Sequence, residues 1–144
     1  MSGYSGTPLA KKLGIRAGAR LFLHEAPQNY RRLVAPLPAG VQTVPRIDAR
    51  TDIVHVFATA RAALGTQLQR ARRAMRADAA IWVSWPKKAS RVATDISEDV
   101  IRELALPLGL VDIKVCAVDE QWSGLKLVLR RTERGPPRQR PPRA

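Results

Sequence analysis

The spacing of apolar and polar residues changes several times along the chain, and each change marks an element. Leu21, Phe22 and Leu23 form an apolar run within Arg20 to Glu25, broken by Ala26 and Pro27, which predicts a first strand. Ahead of it, Thr7 as a cap and Pro8 as a first helical position predict a short helix to about Leu13, stopped by Gly14. Met1 to Thr7 reads as a flexible lead. Gln28 to Val34 predicts a second short helix, and Pro36, Pro38 and Gly40 mark the loop before a strand at Val41 to Val44. Asp52 to Thr59 is a third strand with Ile53, Val54, Val56 and Phe57 as its apolar body.

A helical period follows, because Leu64, Leu68, Ala71 and Met75 recur at spacings of four, three and four, while Arg61, Arg72, Arg73 and Arg76 occupy the opposite face. Ala80 to Trp85 is largely apolar, with β-branched and aromatic members and no alternation. That is the pattern of a central strand buried on both faces, and Pro86 ends its ladder before Lys87 and Lys88. Ser97 caps a further helix whose first turn holds Glu98 and Asp99, with Ile96 and Ile101 placed as a hydrophobic staple and Pro107 and Gly109 at its end. Val111 to Val118 and Leu125 to Arg131 are joined closely enough to form an antiparallel hairpin. Strands alternating with helices predict one α/β domain over residues 1–131. Its sheet is mostly parallel, of about six strands, and covered on both faces. Residues 132–144, rich in proline and arginine, read as a disordered tail.

Composition adds charge to this picture. The chain has 144 residues and a formal net charge of +13. From Arg130 onward six arginines face one glutamate, a net +5, which leaves +8 for the first 129 residues. Such an excess favours nucleic acid or another anionic partner electrostatically, although a solvated basic surface has the same composition. Cys116 is the only cysteine, so no intramolecular disulfide and no cysteine zinc cluster can form, and two histidines make no metal site. No secretory signal and no run long enough to span a bilayer is evident, so the expectation is a cytoplasmic protein without a membrane span.

Leu13 to Pro27, LGIRAGARLFLHEAP, resembles the approach to the first strand of class I S-adenosylmethionine-dependent methyltransferases, and the elements from Arg61 to Arg131 are similar to the second half of that fold. The runs SGYSGTPLAKKLGI, IWVSWPKKASRVATD and LPLGLVDIKVCAVDEQWSGLKLVLR resemble an uncharacterised bacterial family, domain of unknown function 3052, which brings no activity with it. The first resemblance implies a three-layer, Rossmann-like sheet and S-adenosylmethionine as cofactor. The residues depart from it at the cofactor. His24, Glu25, Ala26, Pro27 and Gln28 stand where methyltransferases carry a glycine-rich loop, Pro45 and Arg46 replace the carboxylate after the second strand, and a third strand with its helix is missing between Val44 and Asp52. No cofactor is therefore expected.

Candidate chemistry concentrates beyond the central strand. Lys87, Lys88, Ser90 and Arg91 place three cations and a hydroxyl where ligands of open α/β sheets bind, and Trp82 or Trp85 would add a stacking surface unless both are core. His24 and Glu25, at the carboxyl end of the first strand, are candidates for proton transfer. His55 lies in an apolar strand and reads as a hydrogen-bonded core residue. Asp119, Glu120 and Trp122 form either an acidic lip or a solvated turn anchored by its aromatic, and Cys116 reads as a small buried residue. Together these features predict a non-enzymatic binding or interaction domain on a degenerate methyltransferase-like fold, with a basic loop for an anionic partner. The alternative is an enzyme acting on a nucleotide-like or phosphorylated ligand, with His24 or Glu25 carrying the proton and Lys87 holding the anion.

Overall fold

A computed structural model describes residues 6–134. Strands β1 (Arg20–His24), β2 (Gln42–Val44), β3 (Ile53–Phe57), β4 (Ala80–Pro86), β5 (Leu110–Ala117) and β6 (Trp122–Leu129) form one sheet in the order β2-β1-β3-β4-β6-β5. β1, β2, β3 and β4 are mutually parallel, and β6 runs antiparallel to both β4 and β5. The chain steps from β1 outward to β2 and then back across β1 to β3. That reversal puts the topological switch point between β1 and β3.

Helix α1 (Leu9–Lys12) precedes β1, and α2 (Tyr30–Leu33), α3 (Arg61–Ala74) and α4 (Glu98–Ala105) lie between successive strands. The two faces of the sheet close on different partners. Val54, Val56, Ile81, Val83 and Trp85 pack with Leu64, Leu68 and Ala71 of α3 and Ile101 of α4. Ile53, Phe57 and Trp82 pack with Leu9, Leu13, Tyr30 and Val34 from the amino-terminal third. β4 is accordingly buried almost throughout, as its largely apolar run implies.

Several expectations shift by a residue or two. The cap of α1 is Pro8, which makes no side-chain cap bond, so Thr7 does not serve as one. α2 is a single turn. Ser97 does cap α4, its Oγ accepting from the Val100 amide at 3.2 Å, and the run ends at Gly109, whose φ of 78° suits a residue without Cβ. The hairpin strands lie earlier than expected, β6 beginning at Trp122, because the turn uses only Val118 to Gln121. No strand lies between β2 and β3. Arg131–Arg134 makes a 3-10 turn where the tail was expected to begin; the rest of the tail, and Met1 to Ser5 of the lead, lie outside the described residues.

One polar chain crosses the apolar layer. Tyr30 Oη is 2.9 Å from His55 Nδ1, and His55 Nε2 is 2.8 Å from Ser84 Oγ, all three groups being buried. His55 also stacks on Phe57 with ring centroids 4.4 Å apart. The core reading of His55 is the one its geometry supports. Burial pushes its imidazole from an ordinary 6.5 down to about 3.

A pH dependence follows from that depression. The folded protein keeps His55 neutral while the unfolded chain takes up a proton below pH 6.5, so this contribution is complete above that pH and is lost as pH falls toward about 3. Urea denaturation at stepped pH should show a His55 contribution of up to about 1.4 kcal/mol per pH unit in that window. The His55→Phe chain should show a shallower slope. It should also be less stable at neutral pH by roughly 1–3 kcal/mol for each hydroxyl left unpartnered.

Candidate functional site

Beyond the carboxyl end of β4 the chain turns sharply and lays a loop across the neighbouring strand. Lys88–Ser90 forms a 3-10 turn closed by Arg91 in the left-handed region, φ 60°. The Ser90 hydroxyl donates to the Lys87 carbonyl at 2.6 Å and accepts from the Val92 amide at 3.2 Å. It shapes the turn. The next residues fasten onto the end of β3: Thr94 Oγ1 donates to the Thr59 carbonyl at 2.6 Å, and Asp95 Oδ1 accepts from the Arg61 amide at 2.6 Å. A carboxylate from the loop therefore occupies the amino terminus of α3, an end that would otherwise favour an exogenous anion.

A cleft of about 630 Å³ lies under this loop, within the range of small-ligand sites. Lys87, Lys88 and Arg91 line it together with Trp85, Ser97 and Ser123. Trp85 is only 9% exposed, so it presents part of a buried ring as a wall and is mainly core. Trp82 is fully buried and contributes nothing to the cleft; its Nε1 donates to the Leu13 carbonyl at 2.9 Å. Ser123 arrives through its pairing opposite Trp85 on β6, a placement without local sequence signal. Ser97 is there because it caps α4, which the sequence does mark. Among the described residues no ion pair involves Lys87, Lys88 or Arg91. Glu98, also on the cleft wall, lies 4.0 Å from the Arg102 guanidinium, so the basic charge of the cleft exceeds its acidic charge.

His24 and Glu25 stand elsewhere on the same edge of the sheet. β3 separates β1 from β4, a distance of about 10 Å at ordinary strand spacing, and neither residue lines the Lys87 cleft. Glu25 is exposed and adopts φ 55°, a left-handed conformation that a side chain disfavours. After β1 the residues Glu25, Ala26, Pro27 and Gln28 all carry side chains, β2 ends at Val44 with Pro45 and Arg46 following it, and no strand lies between β2 and β3.

The remaining candidates have structural employment. Asp119 Oδ1 accepts from the Gln121 and Trp122 amides, both at 2.8 Å, and Trp122 sits edge-on to Phe57 with centroids 5.1 Å apart, which makes this connection a braced turn. Cys116 is half-buried, and burial raises its thiol pKa against the pull of Lys12 and Lys114. Among the described residues no group of three His, Cys, Asp or Glu side chains could hold a metal ion, and no helix is long and apolar enough to cross a membrane.

No family model matches this chain and no curated protein does. Solved structures do resemble it. Magnesium protoporphyrin IX methyltransferase (ChlM) from Synechocystis PCC 6803, with bound SAH, aligns with a TM-score of 0.52 at 10% identity, over 84% of this chain and 78% of that one. LepI in complex with SAM aligns at 0.53 and 15% identity over 85% of this chain, and LaPhzM at 0.51 and 16% identity over 76%. The chain spans only 39% of LepI and 42% of LaPhzM. At such identities the likeness shows the fold alone: a Rossmann-like, methyltransferase-like sheet with an antiparallel closing hairpin.

The backbone at Glu25 allows a direct check on strain at the β1 mouth. Glu25→Gly should stabilise the protein by about 0.5–1 kcal/mol, because relief of the left-handed penalty exceeds the entropy that glycine adds to the unfolded chain. Chemical denaturation measures it, and a destabilised variant would mean that the Glu25 side chain holds an interaction of its own.

Proposed function

We propose that this protein is a non-enzymatic binding domain on a methyltransferase-like fold, and that Lys87, Lys88 and Arg91 hold an anionic partner beyond the carboxyl end of β4. One observation carries the reading: three cations without ion-pair partners line one cleft at the edge of the sheet where α/β proteins bind ligands. Ser90 sets the turn from which they project, and Trp85 gives the cleft an apolar wall. The reading assigns no S-adenosylmethionine to the chain, since the residues that follow β1, Glu25 to Gln28, include no glycine. The resemblance of its sequence runs to an uncharacterised family without assigned activity is in keeping with this reading.

A second reading, an enzyme for a nucleotide-like or phosphorylated ligand, is favoured by the half-buried position of His24 at the switch point and by the SAM and SAH complexes among the structural neighbours. In it His24 or Glu25 moves a proton and Lys87 holds the anion. Thermal-shift measurements separate the two. S-adenosylmethionine, S-adenosylhomocysteine or a nucleotide at a hundred times its dissociation constant would stabilise the chain by about 2.7 kcal/mol, and we expect none of them to do so.

For the leading reading, Lys87→Ala with Lys88→Ala should weaken binding of RNA or DNA in anisotropy titrations at low salt and make the salt dependence shallower by about 2 in logarithmic slope. Identical titrations for parent and variant would remove the loop from the account.

A further inference from the structure

The closing hairpin contains an arrangement that folding by itself disfavours. Lys114 on β5 and Lys126 on β6 are direct cross-strand partners, and like charges placed opposite one another in an antiparallel pair destabilise it. Lys126 also pairs with Trp82 across β4, so both lysines point to the face covered by the amino-terminal segment, away from Leu125 and Leu127.

That segment adds further positive charge. Lys114 Nζ donates to the Lys12 carbonyl at 3.1 Å, and the Lys126 ammonium lies over Gly14, 3.8 Å from where a Cβ would stand. Lys11, Lys12 and Lys114 line one groove of about 510 Å³, and Arg16 and Lys126 line an adjoining one of about 570 Å³. Burial first, then the charges of Lys114 and Arg16, push the Lys126 pKa below the ordinary lysine value. The carboxylates of the second groove are already engaged: Arg76 binds Asp52 at 2.6 Å and Asp78 at 2.7 Å. Asp112 on β5 pairs with Arg102 at 3.2 Å. Mutual repulsion among the hairpin lysines and Arg16 is a cost in the free protein that a polyanion would relieve.

We propose that this face, with Lys114 and Lys126 at its centre and Lys11, Lys12 and Arg16 around them, binds the sugar-phosphate backbone of duplex nucleic acid. Lysines act as point charges toward phosphates, and phosphate contacts carry no sequence information, which suits sequence-independent contact. A single strand is the poorer occupant, because the nearby aromatics are committed: Trp82 is buried and Trp122 packs edge-on against Phe57. Residues 135–144 add three arginines and no acidic residue to the same chain, a composition that favours the same partner. The face is separate from the Lys87 loop, which lies beyond the end of β4 among residues that pack on the opposite side of the sheet.

The test uses the full chain, a short labelled duplex DNA and fluorescence anisotropy at roughly 50–200 mM salt. Lys114→Gln with Lys126→Gln should bind about tenfold more weakly at the low end of that range and show a logarithmic salt slope shallower by about 2. Its melting temperature should equal or exceed the parent's, since the like-charge pair is gone while glutamine keeps a donor toward the Lys12 carbonyl. A parent chain that fails to bind duplex at low salt, or a variant with unchanged affinity and slope, overturns the proposal. So does a loss seen only on phosphatidylserine vesicles with duplex binding intact. Running the Lys87→Ala, Lys88→Ala chain alongside separates the two surfaces, because a loss confined to that chain supports the loop and overturns this face.

Discussion

The structure depends on burying β4 from both sides at once. A strand in the middle of a sheet has no solvent face, so every residue from Ile81 to Pro86 must find an apolar or hydrogen-bonded neighbour above or below. On one side Ile81, Val83 and Trp85 meet the α3 and α4 stripe. On the other, Trp82 fills the space beneath the amino-terminal segment and ties it down through the Leu13 carbonyl. Gly124 completes the fit: a side chain there would meet the Trp82 ring at 3.4 Å, Val118 at 3.2 Å and the Cys116 sulfur at 3.4 Å. Val118, Cys116 and Trp82 together crowd position 124, which favours glycine there, and the Trp82 ring also holds the end of α1 through Leu13.

The same burial explains how polar groups are treated. Ser84 and His55 cannot reach water, so each is satisfied by the other, and Tyr30 supplies the third member. A satisfied, neutral chain of this kind stiffens the layer between the sheet and the amino-terminal third. It has no opening to either groove or to the Lys87 cleft, and its place is in the fold. Cations line clefts elsewhere, at the loop after β4 and on the hairpin face toward the amino-terminal segment.

The switch point between β1 and β3 is built from residues that carry side chains. Glu25 occupies a backbone state that glycine would hold without strain, Asp95 covers the start of α3, and the loop between β2 and β3 contains no strand. The cleft beside β4 is lined by Lys87, Lys88 and Arg91, basic side chains that outnumber its single acidic one, Glu98.

How much was readable without coordinates follows from the range of each interaction. The elements were legible because period and punctuation are local: Leu64, Leu68 and Ala71 declare α3, Ser97 declares the start of α4, and the unbroken Ala80–Trp85 run declares a strand with two covered faces. His55 could be assigned to the core because a histidine amid Ile53, Val54, Val56 and Phe57 has little alternative. Ends of elements were less legible, since Pro8 rather than Thr7 takes the cap position of α1 and the hairpin turn is shorter than its polar residues suggest. What no sequence pattern contains is which distant residues meet. The bond from Thr94 to Thr59, the pairing of Ser123 with Trp85, the separation of His24 from Lys87 by β3 and the opposition of Lys114 to Lys126 all depend on strand order and register, which are settled only when both faces of β4 are packed.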